Sequence, residues 1–157
     1  MIKYYNAMVV FEELPKEIAL AINVTNCPCK CNGCHSKYLW GDVGTVLDED
    51  EIDGLIDKNN GISAICFMGH GTLDTLSDTI RLANHIKDKH KLKVGLYSGF
   101  DNIRNNDGMD VFDYIKEGKY DEVLGGLTSP NTNQKFYENV DGTFIDNTKT
   151  FHKSIAR

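Results

Sequence analysis

Glu17-Ile18-Ala19-Leu20-Ala21-Ile22-Asn23-Val24, followed at once by Thr25-Asn26-Cys27-Pro28-Cys29-Lys30-Cys31-Asn32-Gly33-Cys34-His35, is the stretch from which the fold is read. Ile18, Leu20, Ile22 and Val24 fill one face of a period-two pattern, with Ala19 and Ala21 on the other. Both faces can therefore be covered, as in a parallel sheet carrying helices. The strand ends at Thr25-Asn26, and a cluster of cysteines takes over where its carboxyl end must lie.

Working outward, Asp48-Glu49-Asp50-Glu51 places acids at a helix start, with Ile52, Leu55 and Ile56 as its apolar stripe and Asn59-Asn60-Gly61 as its end. Ile62 to Met68 reads as a second strand, with Gly69-His70-Gly71 as the turn after it. Thr72 or Asp74 can cap a helix in which Leu73, Leu76, Ile80, Ala83 and Ile86 keep a helical period. Leu92 to Tyr97 reads as a third strand closed by Ser98-Gly99. Val111 to Ile115 reads as a helical turn leading into a short strand, and Phe136 to Ile145 as a hairpin about Asp141-Gly142. Ile2 to Leu14 supplies one or two short strands, broken by Pro15.

Strand, helix, strand, helix, strand implies βαβ units. The expected fold is α/β, one domain over residues 1–157, with a mainly parallel sheet and a C-terminal β-hairpin. Eight βα units need about 250 residues, so a chain of 157 residues supplies four or five and forms an incomplete, open barrel. In such a sheet the cysteine loop, the Gly-His-Gly turn and the Ser98-Gly99 turn meet at one edge, where ligands bind.

Composition narrows the function. Hydrophobic residues make up 41% and charged residues 25%, which excludes a disordered or fibrous chain. The formal net charge of −6 disfavours a phosphate backbone as partner, so no nucleic acid is expected. No apolar run approaches the ~20 residues of a membrane span, and the opening residues lack the pattern of an export signal. A cytoplasmic protein with no membrane partner is the expectation.

Four of the five cysteines fall between positions 27 and 34, too close for a disulfide framework, so the cluster reads as metal ligation. Cys27, Cys31 and Cys34 have the spacing C-x3-C-x2-C of a cubane iron–sulfur loop. Three ligands leave one iron open for chemistry. Using Cys29 as well would give a closed site, either structural zinc or a fully ligated cluster, in a non-catalytic relay or binding protein. The second pair of ligands that structural zinc usually draws from far along the chain is missing. Cys66, within an apolar strand, reads as a core residue. His85 and His90 lie on or just after a polar helix face and His152 in the tail, and all three read as solvated. Lys116 is at least as readily a solvated lysine as a carboxylate contact, and Trp40 reads as a packing anchor.

The C-x3-C-x2-C loop after a first strand resembles the radical S-adenosylmethionine family. The run Cys31 to Trp40 resembles its activases of glycyl-radical enzymes, in which a Cys-His or Cys-Tyr pair is followed by a basic residue and a Trp. Lys116-Glu117-Gly118-Lys119-Tyr120, Gly125-Gly126-Leu127 and Asn133-Gln134-Lys135-Phe136-Tyr137 are similar to the later part of one branch. The resemblance spans about Asn23 to Asp146 and implies an oxidoreductase. Cys27, Cys31 and Cys34 would hold a 4Fe-4S cluster, and S-adenosyl-L-methionine would bind its open iron. One electron would cleave the sulfonium to a 5′-deoxyadenosyl radical, which takes a hydrogen from a glycine of a partner enzyme. Gly33, His35, Gly69, His70 and Ser98 would contact the cofactor. The branch implies the catalytic subunit of an anaerobic ribonucleotide reductase as partner and a flavodoxin or ferredoxin as electron donor. Gly69-His70-Gly71 departs from the family's Gly-Gly-acid turn. A docking edge open to that partner implies an open, partly apolar surround, with the acidic charge elsewhere.

Overall fold

The structure is a computed structural model that describes residues 1–27, 31, 33, 34, 36–70 and 75–152, the side chain of His70 excepted. The strands are β1 (Lys3–Val10), β2 (Ala19–Val24), β3 (Thr45–Val46), β4 (Ala64–His70), β5 (Lys93–Ser98), β6 (Tyr114–Glu117), β7 (Lys135–Val140) and β8 (Thr143–Asp146). The helices are α1 (Glu49–Asp57) and α2 (Leu76–His90). All eight strands form one sheet in the order β3-β1-β2-β4-β5-β6-β7-β8, with β3 and β8 as its edges.

The centre is parallel: β2 pairs with β4, β4 with β5, and β5 with β6. The flanks are antiparallel, through β1–β2, β1–β3, β6–β7 and β7–β8. The expectation of a mainly parallel sheet is thus corrected to a mixed, open one. The reason lies in the connections. A parallel return needs a crossover of a dozen or more residues, usually helical. Only the links from β2 to β4 and from β4 to β5 carry an α-helix among the described residues. Asp141-Gly142 turns β7 into β8 with positive φ at both positions (52° and 88°), the primed turn that matches strand twist.

Strand alternation divides the core. Leu20, Ile22 and Val24 of β2, Ile65 and Phe67 of β4, and Val94 and Leu96 of β5 pack with Ile52 of α1 and Leu82 and Ile86 of α2. Ala19, Ala64 and Cys66 face the other way and pack with Leu14, Tyr114 and Phe136. Small residues on that face let the segment after β1 lie close. A Cβ at Gly95 would meet Leu14 Cδ2 at 2.7 Å, so the missing side chain makes the seat for Leu14, which is 1% exposed. Ile18 lies just before β2 and is exposed.

Asp48 caps α1, its carboxylate accepting from Glu51 N–H at 2.8 Å. Glu51 in turn accepts from the Tyr4 hydroxyl, which ties β1 to α1. Burial, helped by that bond to Glu51, pushes the Tyr4 phenol up to about 12 from 10.0. The folded state therefore holds a proton that the unfolded chain releases above pH 10, so stability falls as pH rises from 10 towards 12. Tyr4→Phe is expected to flatten that alkaline loss, read by urea unfolding at stepped pH. At neutral pH it should cost about 0.5–1.5 kcal/mol for the lost hydrogen bond.

Candidate metal centre at the carboxyl edge of the sheet

Because β2, β4, β5 and β6 run parallel, their carboxyl ends share an edge, and a cavity of about 460 Å³ opens there. Cys27, Cys31 and Cys34 line it, together with Gly69 from β4, Ser98 from β5 and Lys116 from β6. The convergence expected from topology is therefore found for five of the eight predicted site residues: Cys27, Cys31, Cys34, Gly69 and Ser98. Gly33 is not among the lining residues. It lies against Glu122, whose carboxylate a Cβ there would meet at 2.5 Å, and its φ is +73°. His35 and Cys29 lie outside the described residues, as do Gly71, Thr72 and Asp74. The His70 backbone completes β4 opposite Ser98.

Backbone hydrogen bonds set the base of the cysteine loop. Asn26 turns the chain out of β2 at φ 61°, and its N–H donates to Gly41 O at 3.1 Å. Cys27 N–H donates to Leu39 O at 3.0 Å, and Cys34 N–H to Cys31 O at 3.1 Å. Leu39, buried in the 3-10 turn Lys37–Trp40, thus anchors the loop, while Trp40 is only half-buried beneath Lys37. Ser36 N–H donates to Cys34 Sγ at 3.4 Å, which fixes the sulfur's orientation at the end of the loop.

The donor set suits a cluster better than a single ion. All three thiols are free and half-buried at one cavity wall. The spacing C-x3-C-x2-C within one loop, with no second pair of described cysteines beside it, is that of a cluster loop and not of a structural zinc site. Cys66 is fully buried on β4, and burial pushes its thiol up, with Glu13 adding to the shift and Lys116 opposing it.

Three details differ from the sequence reading. Gly69 and His70 belong to β4 and are not a turn beyond it; the register shifts between Phe67 and His70, and Gly69 takes φ +87° there. Lys116 is buried, its ammonium donating to Ser98 O at 3.0 Å and Gly118 O at 2.9 Å. The signal for Lys116 was present: Lys116, Gly118, Tyr120 and Gln134, all in segments similar to the activase branch, line the cavity. Glu12 and Glu13 also line it beside Leu39, Met68 and Leu127, so the surround is partly apolar but the acidic charge does not lie wholly elsewhere. Ser98 is 1% exposed; its hydroxyl accepts from Phe100 N–H at 3.1 Å, which shapes the turn after β5. Tyr97 donates its hydroxyl to Glu13 O at 2.6 Å, and burial pushes that phenol well up.

A sheet-edge cavity walled by three loop thiols defines an iron–sulfur protein of the single-cluster kind, and comparison with known families agrees. The family model of the 4Fe-4S single cluster domain matches residues 18–126, and the chain belongs to that family. Its resemblance to radical S-adenosylmethionine activases extends to a particular relative, the anaerobic ribonucleoside-triphosphate reductase-activating protein of Enterobacteria phage T4. That protein is 26% identical over 132 residues, which cover 77% of this chain and 84% of the relative. No solved structure matches. No helix among the described residues is long and apolar enough to cross a membrane.

Two outcomes follow from this geometry. A Cβ at Gly69 would meet Val24 O at 2.8 Å and Leu39 Cδ1 at 3.1 Å in a left-handed backbone. Gly69→Ala should therefore lower unfolding stability by about 1–3 kcal/mol, read by urea titration. In the folded, oxygen-free, metal-stripped protein, iodoacetamide should label Cys27, Cys31 and Cys34 and spare Cys66 until denaturant is added, read by peptide mass spectrometry.

Proposed function

We propose that this chain is a radical S-adenosylmethionine activase that generates a glycyl radical on a partner enzyme, the catalytic subunit of an anaerobic ribonucleotide reductase. One observation carries the reading: three free loop thiols in C-x3-C-x2-C spacing wall a cavity formed by the carboxyl ends of four parallel strands. The family membership and the phage relative support it.

In this reading Cys27, Cys31 and Cys34 hold the 4Fe-4S cluster and leave one iron without a protein ligand. When bound, the cluster supplies one electron to the sulfonium of S-adenosyl-L-methionine and thereby the radical that takes hydrogen from glycine. The chain's own residues do the rest. Backbone carbonyls near Gly69 and His70 accept from the methionyl amine, in place of the acid that the family's turn has. His35 contacts the adenosyl group and Ser98 the ribose side of the cavity, while Gly33, set against Glu122, serves the turn between Cys31 and Cys34. Lys116 holds the turns after β5 and β6 together through Ser98 O and Gly118 O. A cavity of about 460 Å³ lies within the ~300–1,000 Å³ of small-molecule sites. It is walled by the protein but reachable from the sheet edge, where a glycine loop must enter to bring its Cα into contact with the reacting carbon. The sheet itself is then an incomplete barrel whose open side serves the partner. Flavodoxin or ferredoxin is the class of donor that fits a low-potential cluster in the cytoplasm.

The test is anaerobic reconstitution with iron and sulfide, followed by addition of S-adenosylmethionine, reductant and the reductase. The expected result is 5′-deoxyadenosine together with a glycyl radical signal in electron paramagnetic resonance. Cys27→Ala, Cys31→Ala and Cys34→Ala should each abolish the cluster, and Cys29→Ala should keep it. A fully ligated cluster, indifferent to S-adenosylmethionine and yielding no 5′-deoxyadenosine, would instead identify an electron-relay protein. Formation of 5′-deoxyadenosine with no radical on the reductase would remove only the partner.

A further inference from the structure

His85 and His90 do not stand free in solvent, as a polar helix face led one to expect. Both imidazoles turn from α2 onto one carboxylate of α1. Nε2 of His85 lies 2.8 Å and Nε2 of His90 2.7 Å from Oδ1 of Asp53. The two rings meet edge-on with centroids 6.1 Å apart. The three donor atoms lie within 4.8 Å of one another. From this geometry we infer a second metal site, for a divalent transition ion of the zinc class, held by Asp53, His85 and His90.

Four features favour an ion there. First, two imidazole nitrogens and a carboxylate oxygen converge on one point, and this donor set selects zinc, nickel or cobalt over magnesium or calcium. Second, Nδ1 of His85 faces Glu49 Oε2 at 3.9 Å. At that distance the carboxylate is an electrostatic neighbour that favours a proton on Nδ1, the side of the ring turned away from the metal. Third, the three side chains are 14–20% exposed, so an ion can enter and keep water in its remaining positions. Fourth, Glu49, Asp50, Asp53 and Asp57 outweigh Lys89 and Arg81 in the immediate surroundings, so a divalent cation improves the local balance.

Without an ion, the site is held by hydrogen bonds and ion pairs. Burial pushes the Asp53 carboxyl upward, but hydrogen bonds from His90, Lys89 and His85 outweigh it and hold the group well below the usual carboxylate range. A bound ion takes the place of the two direct Nε2 contacts on Oδ1. The Lys89 ammonium, 2.6 Å from Oδ2, is the competing cation. It sits on a flexible, largely exposed side chain and can swing into solvent.

This arrangement gives a test in which a simple ion-pair clasp and a metal site respond oppositely. Zinc chloride is titrated into the full chain under anaerobic conditions, with bound metal read by equilibrium dialysis and folding checked by circular dichroism. The His85→Ala/His90→Ala variant should bind one zinc fewer than the wild type. Cys31→Ala should leave that zinc in place. Lys89→Met should bind it several-fold more tightly, because the competing charge is gone. Cobalt(II) used in place of zinc should give visible bands of a nitrogen–oxygen site that the double variant loses, without loss of thiolate charge-transfer absorption. Equal zinc stoichiometry and affinity in the wild type and the double variant would overturn the proposal. So would a Lys89→Met protein that binds zinc no better than the wild type, even if the double variant failed to fold.

Discussion

Parallel pairing of the central strands is the constraint on which the site depends. Once Leu20 lies beside Ile65, and Ile65 beside Val94, the chain must leave β2, β4 and β5 at the same edge. That edge then receives three connecting segments that have nothing in common in sequence. The cysteine loop, the distorted end of β4 and the turn after β5 become neighbours through register alone. The loop needs few contacts of its own to be placed. Two backbone bonds, Asn26 to Gly41 and Cys27 to Leu39, clamp its base to the 3-10 turn that follows, and Leu39 carries that turn into the core.

The antiparallel flanks close the site from the side. The segment between β1 and β2 crosses the small-residue face of the sheet. It is seated by Leu14 over Gly95 and fastened where Tyr97 reaches Glu13 O. That brings Glu12 and Glu13 to the cavity. On the opposite flank, the long connection from β6 to β7 brings Tyr120, Leu127 and Gln134. A short chain thus walls a ligand-sized cavity without the further βα units of a closed barrel. The walls come from loops held by backbone bonds, as where Gln134 Nε2 donates to Gly118 O at 3.3 Å.

Much of this was legible from residue pattern, for identifiable reasons. β2, β4 and β5 are runs covered on both faces, so their apolar content alone marks them. Asp48 with three following acids marks α1, and Asp141-Gly142 marks the hairpin. The two-residue strand β3 was not legible, since nothing local distinguishes Thr45-Val46 from loop. Nor was the end of β4. A glycine pair reads as a turn, but here Gly69 is required because Val24 O and Leu39 stand where a side chain would be. Lys116 and the two histidines were misread for a shared reason. Burial of a charged or titratable side chain depends on partners from other elements: carbonyls of two turns for Lys116, and α1's Asp53 for His85 and His90. Helical periodicity sees only the element on which a residue sits.

The same topology that gathers the thiols keeps the imidazoles away from them. α2 runs back against the parallel strands, since it leaves the carboxyl end of β4 and delivers the chain to the amino end of β5. At about 1.5 Å per residue, its 15 residues carry His90 roughly 20 Å from the edge where it started. Soft sulfur donors therefore collect at one end of the sheet, and nitrogen and oxygen donors on the helical layer towards the other. This separation matters chemically, because nitrogen and thiolate ligands within reach of one another would compete for the same borderline ions. A chain built on four parallel strands has two ends. With cysteines near one end and a histidine–aspartate set on the helical layer towards the other, the two proposed sites can differ in the metal each selects.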